Sequence, residues 1–424
     1  MVRVSLSLLL GAVLAVVGAQ APGSAAVPAA VPAVKGAACT TPRLRREWRS
    51  LSIPQRQKYL SAMQCMLSAP SKARVHFPPL TNRYEDFVAL HINATGGGMN
   101  LTNFRGVESL MTSFASAMKM GSNGIHGTGT FLPWHRYAVW TWETALREEC
   151  GWTEGQPYWD WNIDTKDHNA TLKASPVFDP VIGFGGDGVR VARNVSVPAA
   201  PPPPKNPMLD WLTANIPGFE MPMFDPAMMG GCVQDGPFKN ITLHVGPMGR
   251  MISGEKGRCL TRGFNQFIMD SAASKENIRK VLASKDFGEF RVAIEQPRVR
   301  FGATNGSFGI VSDGGDLHTI GHGGIGGEMM DVFTSPNDPI FWLHHGNLDR
   351  IWSIWQDAAP EKRRYDASNP ASFWNTGKIS LTTPIWMGFA APDRPVRAVM
   401  DPLNRNGEGF LCYKYETGGE VYYA

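Results

Sequence analysis

Apolar residues recur at intervals of three and four in the first third of the chain, which is the spacing of an amphipathic helix. The pattern predicts a helical segment over Arg43–Leu67, in which Pro54 stands at the first helical position of the main helix. It also predicts short helices over about 83–91 and 101–118. The clearest helix follows over Trp134–Cys150, just before a glycine that can cap its C-terminus.

Helical spacing returns later in the chain, over about 274–284, 317–322 and 338–357. In the last stretch Asn337 or Asp338 can cap the helix and Pro339 can open it. A polar, Pro-rich insertion over 185–207 predicts a surface loop or a disordered excursion. After about residue 360 the runs are short, strand-like and rich in turn residues. The pattern thus predicts a mainly α fold with long loops and a few short strands.

The N-terminus has the pattern of a secretory signal peptide. Arg3 precedes an apolar run over Val4–Val17, and the small residues Gly18 and Ala19 follow. This run is shorter than the ~20 residues that span a bilayer, and nothing later is typical of a membrane helix. We therefore expect a signal peptide over residues 1–19, an Ala/Pro-rich linker or pro-segment over 20–38, one domain over 39–424, and a secreted protein.

Composition and cysteine count agree with export. The net charge is +4 and no Lys/Arg block stands out, which gives nucleic-acid binding little support. All six cysteines lie beyond the signal, so up to three disulfides are expected, and their pairing stays open among 15 combinations. N-glycans are expected on some of six sequons: Asn93, Asn100, Asn169, Asn194, Asn240 and Asn305.

The distribution of the histidines predicts a metal centre. His318 and His322 share one face of a helical turn, and a His-His pair lies in the next predicted helix. Another pair, His126 and His135, flanks a Gly-rich approach to the helix that begins at Trp134. Imidazole suits copper, zinc, iron and nickel. The zinc-protease motif and a nearby carboxylate for an iron triad are both missing from the sequence, and the all-nitrogen ligand set favours a pair of coppers.

Two stretches, GIHGTGTFLPWHRYAVWTWETALREEC and SPNDPIFWLHHGNLDRIWSIW, closely resemble the copper-binding signatures of tyrosinases and catechol oxidases. DLHTIGHGGIGGEMMD between them is similar to the second-copper segment of short, secreted, fungal-type members, and the resemblance extends over about 43–415. It implies a four-helix bundle that holds two copper ions from facing helices. The implied ligands are, for the first copper, His91, His126 and His135 and, for the second, His318, His322 and His345.

Two ligand positions have alternatives. His91 lies in the weaker part of the match, RYEDFVALHI, and His76 is the alternative there. Helical periodicity alone does not choose between His344 and His345, because adjacent helix residues point about 100° apart. The family pattern favours His345, and it implies that His344 hydrogen-bonds to a neighbour and orients the site.

The resemblance also implies roles for residues around the coppers. Phe341 is similar to the aromatic residue that packs over the second copper, and Val332 to the residue that overhangs the entrance. Thr319 and Gly323 each follow a ligand directly. A carboxylate or amide that holds a water and helps to deprotonate the phenol is expected upstream of His318, and Glu295 and Gln296 are the candidates for this role. Separately, Asp349 with Arg350 resembles a buried orienting pair.

The sequence departs from many members of the family in two places. Gly124 stands where they carry a cysteine that is cross-linked to a ligand histidine, so we expect no thioether there. Tyr413-Lys414-Tyr415 resembles the tyrosine motif that closes the catalytic domain, and only nine residues follow it. We therefore expect no C-terminal lid domain.

The implied activity is oxidation of o-diphenols to o-quinones with O2, which is reduced to water. Prior hydroxylation of monophenols stays open, although Thr319, where many hydroxylating members have Asn, favours diphenols alone. The expected partners are small phenols and O2, with no nucleic acid and no membrane. The main alternative is a haemocyanin-like protein that binds O2 without turnover, and a further one is a protein that kept the fold and lost the metal.

Overall fold

The computed structural model describes residues 36–95, 125–189, 230–247, 257–295, 299–304, 307–312, 316–368 and 379–416. The signal peptide, the predicted helix over 101–118, most of the Pro-rich insertion, Gly124 and Gln296 lie outside the described residues. Three of the sequons, Asn100, Asn194 and Asn305, also lie outside them.

The described part of the chain is mainly helical, as the sequence predicts. Four long helices carry or support the histidines: α1 (Ile53–Ser68), α2 (Arg83–Thr95), α3 (Phe131–Cys150) and, further along the chain, α8 (Ile340–Asp357). Between α3 and α8 the described residues include four shorter helices: α4 (Gln266–Ala272), α5 (Lys275–Leu282), α6 (Phe287–Glu295) and α7 (Leu317–Ile325). One further turn, α9 (Pro360–Arg363), follows α8.

Local signals in the sequence explain where several of these helices begin and end. Ser52 and Gln55 form a reciprocal capping box at α1, which places Pro54 at the second helical position rather than the first. Gly151 ends α3 with φ +68°, a left-handed conformation that glycine adopts without strain. At α8, Pro339 rather than Asn337 or Asp338 occupies the N-cap position, and the Asp338 carboxylate, one residue earlier, accepts a hydrogen bond from Ile340 N at 3.0 Å.

A large aromatic core joins α2, α3 and α8. The rings of Trp142 on α3 and Trp342 on α8 stack with centroids 4.4 Å apart, and Phe87 of α2 packs edge-on against both rings. All three side chains are buried. Burial of several large aromatic rings in one cluster fixes the relative positions of the helices that carry the histidines.

The strands are short and lie around the helices. They are β1 (Arg43–Arg45), β2 (Gly188–Val189), β3 (Gly231–Val233), β4 (Thr242–Leu243), β5 (Arg258–Cys259), β6 (Thr261–Arg262), β7 (Val299–Thr304), β8 (Ser307–Ser312), β9 (Pro384–Ile385), β10 (Arg394–Pro395) and β11 (Tyr413–Tyr415). The longest pairing is the antiparallel hairpin of β7 and β8, which separates α6 from α7.

The prediction of a helix from Arg43 onward is wrong at its start. Residues Arg43–Arg45 form β1, which pairs in parallel with β11, and α1 begins only at Ile53. The Arg45 guanidinium explains this outcome: it donates to Glu143 at 2.8 Å and to Asp349 at 3.0 Å, and all three side chains are buried. These contacts hold the start of the domain as a strand against α3 and α8.

The six cysteines form three disulfides, as expected, and the structure gives their pairing as Cys39–Cys412, Cys65–Cys150 and Cys232–Cys259. The first joins the two ends of the domain beside the β1–β11 pair. The second fastens the C-terminus of α3 to α1. Within the described residues, no helix has the length and apolarity that a membrane span requires.

Candidate dinuclear metal site

Seven buried or nearly buried histidines converge between α2, α3, α7 and α8. One group contains His91, His126 and His135, and the other contains His318, His322, His344 and His345. Within each group, one nitrogen from each ring lies within 4.8 Å of the others. The structure therefore brings every histidine of the expected ligand set into one of two adjacent groups.

The first group draws on two helices and the loop between them. His91 lies on α2, His135 on the second turn of α3, and His126 on the loop that leads into α3. The ring centroids of His91 and His126 are 5.1 Å apart, and those of His126 and His135 are 5.3 Å apart. The alternative His76 is exposed and stacks on Phe389, so it is not part of this group.

The second group comes from α7 and α8. His318 and His322 lie one turn apart on α7, as the i, i+4 spacing predicts, and their Nε2 atoms are 3.0 Å apart. Such a separation suits two imidazoles that bind one ion at ~2.0 Å. His344 and His345 lie on the buried face of α8, and both ring centroids are within 6 Å of those on α7.

Backbone carbonyls determine which nitrogen each of three histidines can offer to a metal. Nδ1 of His91 contacts the Phe333 carbonyl at 2.9 Å, and Nδ1 of His322 contacts the Met329 carbonyl at 2.6 Å. Nδ1 of His135 contacts a carbonyl one turn earlier on its own helix, at 2.8 Å. Because a carbonyl only accepts, Nδ1 carries the proton in all three rings, and Nε2 keeps its lone pair.

Several of these lone pairs have no partner in the described part of the protein. Nε2 of His91, Nε2 of His135 and both ring nitrogens of His344 and His345 are buried without a hydrogen bond. Buried polar atoms are usually satisfied, and a cluster of unsatisfied imidazole nitrogens is what a metal centre requires. The donor set, imidazole without thiolate, fits copper.

Burial keeps these histidines neutral. It lowers the pKa of His91 to about 3 and that of His322 to about 4. The pKa values of His126, His135 and His318 also lie well below the ordinary 6.5, first because of burial and then because of neighbouring histidines. At neutral pH the two groups therefore present uncharged ligands to a cation.

His344 and His345 occupy different environments. The His345 ring stacks on His135 of the first group, with centroids 4.3 Å apart and planes 10° apart. The His344 ring lies beside Trp161 and against the α7 backbone, where a Cβ on Gly321 would be 2.1 Å from its Nδ1. His345 thus faces the other histidine group, and His344 lies behind it. The role expected for His344, hydrogen-bonding to a neighbour and orienting the site, stays a prediction.

The structure places the other predicted residues around the two groups. Phe341 is buried, and its ring centroid lies 4.2 Å from that of His345 and 5.2 Å from that of His91. Thr319 is exposed, Val332 is half-buried, and Gly323 is buried on α7.

Glu295 ends α6 beside the first group. Its carboxylate accepts hydrogen bonds from Gly127 N, next to His126, and from Arg291 at 3.1 Å. Burial raises its pKa to about 7, although both hydrogen bonds favour the charged form. The Glu295 carboxyl can therefore gain or lose a proton near neutral pH.

Asp349 and Arg350, predicted as a buried orienting pair, are both buried on α8, and each has its own partners. The Asp349 carboxylate contacts Arg45 and Arg136, and the Arg350 guanidinium contacts Asp160 at 3.2 Å. Adjacent residues on a helix point in different directions, so each reaches a different neighbouring segment.

Sequence reasoning missed the groups that hold the histidines. The Met329 and Phe333 carbonyls carry no signal in the sequence, because every residue has one. Asp316 accepts a hydrogen bond from Thr319 N at 3.0 Å and caps α7, and an acidic residue just before a helical run could have identified it.

Comparison with known proteins agrees with this site. Residues 81–358 match the family model described as the common central domain of tyrosinase. Tyrosinase P of Aspergillus terreus is 33% identical over 392 residues, which cover 89% of this chain and 93% of that protein. An N-acetyl-6-hydroxytryptophan oxidase of Emericella nidulans is 30% identical over 399 residues, which cover 88% of this chain and 92% of that protein.

Among solved structures, a polyphenol oxidase variant from Thermothelomyces thermophila superposes with a TM-score of 0.62 at 29% identity, covering 89% of this chain and 90% of that one. The family model spans more than half of the chain and includes all seven histidines of the site. The chain therefore belongs to the tyrosinase family, and it is an oxidoreductase that uses two copper ions to oxidise phenols.

Proposed function

We propose that this protein oxidises small o-diphenols to o-quinones with O2. His91, His126 and His135 hold the first copper, and the second is held by His318, His322 and His345. The observation that supports this proposal most strongly is the set of buried imidazole nitrogens that face one another without hydrogen bonds. For every O2 reduced to two waters, two diphenols lose two electrons and two protons each.

When bound, the copper pair activates O2 and accepts the electrons of the phenol. The chain supplies the remaining requirements. Backbone carbonyls fix the rings of His91 and His322, so that Nε2 points into the site. Phe341 covers the space between His91 and His345 and excludes water from it. Neutral ligands leave the bound pair positively charged, which favours a phenolate.

The second copper takes His345 rather than His344 in this proposal. Ligands of a shared oxygen site must surround the space between the two groups, and only His345 stacks on a histidine of the first group. His344 packs between Trp161 and the α7 backbone and supports the ligands from behind.

Glu295 is proposed as the proton acceptor for the incoming phenol. It is buried beside His126, and its pKa is raised to about 7, so it can take up a proton that an ordinary glutamate would not hold. Gln296, the other candidate, lies outside the described residues.

Oxygen uptake with matched substrates tests this function. We expect the copper-loaded protein to consume O2 promptly with catechol and to form coloured quinone. We expect it to respond weakly to a simple monophenol and to tyrosine, because Thr319 stands where many hydroxylating members have Asn. Prompt uptake with the monophenol would contradict the diphenol preference, and O2 binding without quinone would indicate a carrier.

We further propose that the protein is secreted and carries N-glycans. The three disulfides and the signal-like N-terminus support export. Asn169 and Asn240 are exposed and suit glycans, whereas Asn93 is 7% exposed within α2 and does not. N-terminal sequencing should show that the secreted protein begins near Gln20. Glycopeptide mapping should find Asn93 unmodified. A start at Met1 in a retained protein would refute export.

A further inference from the structure

One short segment contacts ligands of both proposed coppers. This segment, residues 326–334, is called the strap here. Its Met329 carbonyl accepts from Nδ1 of His322 at 2.6 Å, and its Phe333 carbonyl accepts from Nδ1 of His91 at 2.9 Å. The two carbonyls are four residues apart, and they orient one histidine from each group.

The strap begins in a conformation that requires glycine. Gly326 and Gly327 have φ of +66° and +53°. A Cβ on Gly326 would lie 2.6 Å from the Gly263 carbonyl, and one on Gly327 would lie 2.1 Å from the Thr261 carbonyl. The chain can therefore leave α7 and press directly against the backbone around β6.

A nearly buried ion pair then fastens the strap. Glu328 is 1% exposed, and its carboxylate accepts from Arg258 Nη2 at 2.8 Å, while Nη1 of the same arginine contacts its other oxygen. Asn337 Nδ2 approaches the carboxylate at 3.3 Å, and the Arg258 guanidinium also donates to the Val245 carbonyl at 3.0 Å. The pair joins the strap to β5, which lies outside the histidine-bearing helices.

The far end of the strap is shaped by Asp331. Its carboxylate accepts from Phe333 N at 2.9 Å and from Thr334 N at 3.0 Å. These bonds turn the backbone around Phe333, whose carbonyl faces His91. Asp331 also interacts electrostatically with Arg258, so the same guanidinium acts on both carboxylates of the strap.

We propose that Glu328, held by Arg258, is a positioning residue that orients ligands of both coppers through the strap. This inference deepens the proposed function and rests on its copper assignment. The strap links one ligand of each trio to a single rigid turn, so a shift of that turn moves both rings together. Val332, which is expected to overhang the entrance, lies in the chain between the residues that supply the two carbonyls, and the same ion pair therefore also holds its backbone.

Glu328→Gln and a matched control separate this role from general stability. The variant keeps the size and one acceptor oxygen but loses the charge that Arg258 balances. The control is Asp164→Asn, because the Asp164–Arg49 ion pair matches the Glu328–Arg258 pair in burial. The two carboxylate side chains are 2% and 1% exposed, and the two arginine side chains are 21% and 24% exposed. Asp164 is not bonded to the strap or to any site histidine among the described contacts.

The measurement is copper affinity at each of the two sites, by competition of the reduced protein with a Cu(I) chelator. Thermal melting of the copper-free proteins gives the loss of stability for comparison. We expect Glu328→Gln to lower the copper affinity of both sites by about tenfold or more, because loss of groups that orient metal ligands has effects of this size. We expect Asp164→Asn to change the copper affinity of neither site by more than about twofold, even where it lowers the melting temperature as much as Glu328→Gln does.

Equal effects of the two variants at equal loss of stability would overturn the proposal, and so would weakening of one site alone. If Glu328→Gln does not fold, Arg258→Lys decides by the same criteria, because lysine keeps the charge but not the two-pronged contact. Failure of the unaltered protein to bind two coppers is a different result, and it would refute the proposed function itself.

Discussion

Each site histidine has two nitrogens, and the partner of one decides the role of the other. The carbonyls of Met329 and Phe333 accept from Nδ1 of His322 and His91, which leaves Nε2 for the metal. His345 differs, because both of its nitrogens lack a hydrogen bond in the described structure and its orientation comes from stacking on His135 and Phe341.

The two adjacent histidines of α8 should respond differently to substitution. His345→Ala should lower the copper content by about one ion per chain and abolish oxidation of catechol. The His344→Ala variant should still bind both ions, with copper affinity or activity lowered about 10- to 100-fold, because His344 packs against the ligand-bearing helix α7 without binding the metal itself. Metal analysis and oxygen uptake on both variants measure this, and the reverse order would assign His344 as the ligand.

Glu295 should make the copper-free protein less stable as the pH rises. Its pKa is about 7 in the folded protein against an ordinary 4.5, so the unfolded chain ionises first and the stability contribution is lost as the pH rises towards and through 7. At 1.36 kcal/mol per pKa unit, the loss between pH 5 and pH 8 is about 3 kcal/mol.

Glutamine does not titrate, so the Glu295→Gln variant should not lose this stability as the pH rises. Denaturant unfolding of both copper-free proteins at pH 5 and pH 8 measures the pH dependence that Glu295 adds, both directly and through its repulsion of Asp316, whose pKa burial raises to about 7. Parallel pH dependence in the two proteins would show that the Glu295 carboxyl is not perturbed.

The helices could largely be predicted from sequence, and the strands could not. Apolar periodicity and the terminal glycine identify α3, and the i, i+4 histidines identify α7, because these signals are local. The β1 strand was predicted as helix because Trp48 and Leu51 share helical spacing, whereas its true partner, β11, lies about 370 residues away. Pairing over such a separation leaves no periodicity in either segment.

The buried charges between β1, α3 and α8 should contribute strongly to stability. Glu143 is fully buried and accepts from Arg43 at 3.1 Å and from Arg45 at 2.8 Å. Glu143→Gln removes one of the two buried carboxylates that Arg45 contacts and should lower the free energy of unfolding by about 3–5 kcal/mol.

An exposed pair on the same segment gives the control. Glu154 contacts Arg46 at 3.1 Å, and both side chains are about a third exposed. Glu154→Gln should change the free energy of unfolding by less than about 1 kcal/mol. Denaturant unfolding measures both variants, and a similar small effect of Glu143→Gln would mean that the charges around β1 are not coupled.

Across the whole molecule, the ends of the domain and the metal site are held by the same framework. The Cys39–Cys412 disulfide and the β1–β11 pair join the ends, and Arg45 and Tyr413 both contact Asp349 of α8, the helix that carries His345. Sequence could identify the site chemistry because ligand side chains are distinctive. It could not identify the framework, whose parts meet only after folding.

The copper assignment is tested most directly by crystals of the copper-loaded protein and anomalous scattering at the copper edge. Two ions about 3.5–4 Å apart are expected. One should be bound by Nε2 of His91 and His135 together with His126, and the other by His318, His322 and His345. A single ion, or an ion bound by His344 in place of His345, would contradict it.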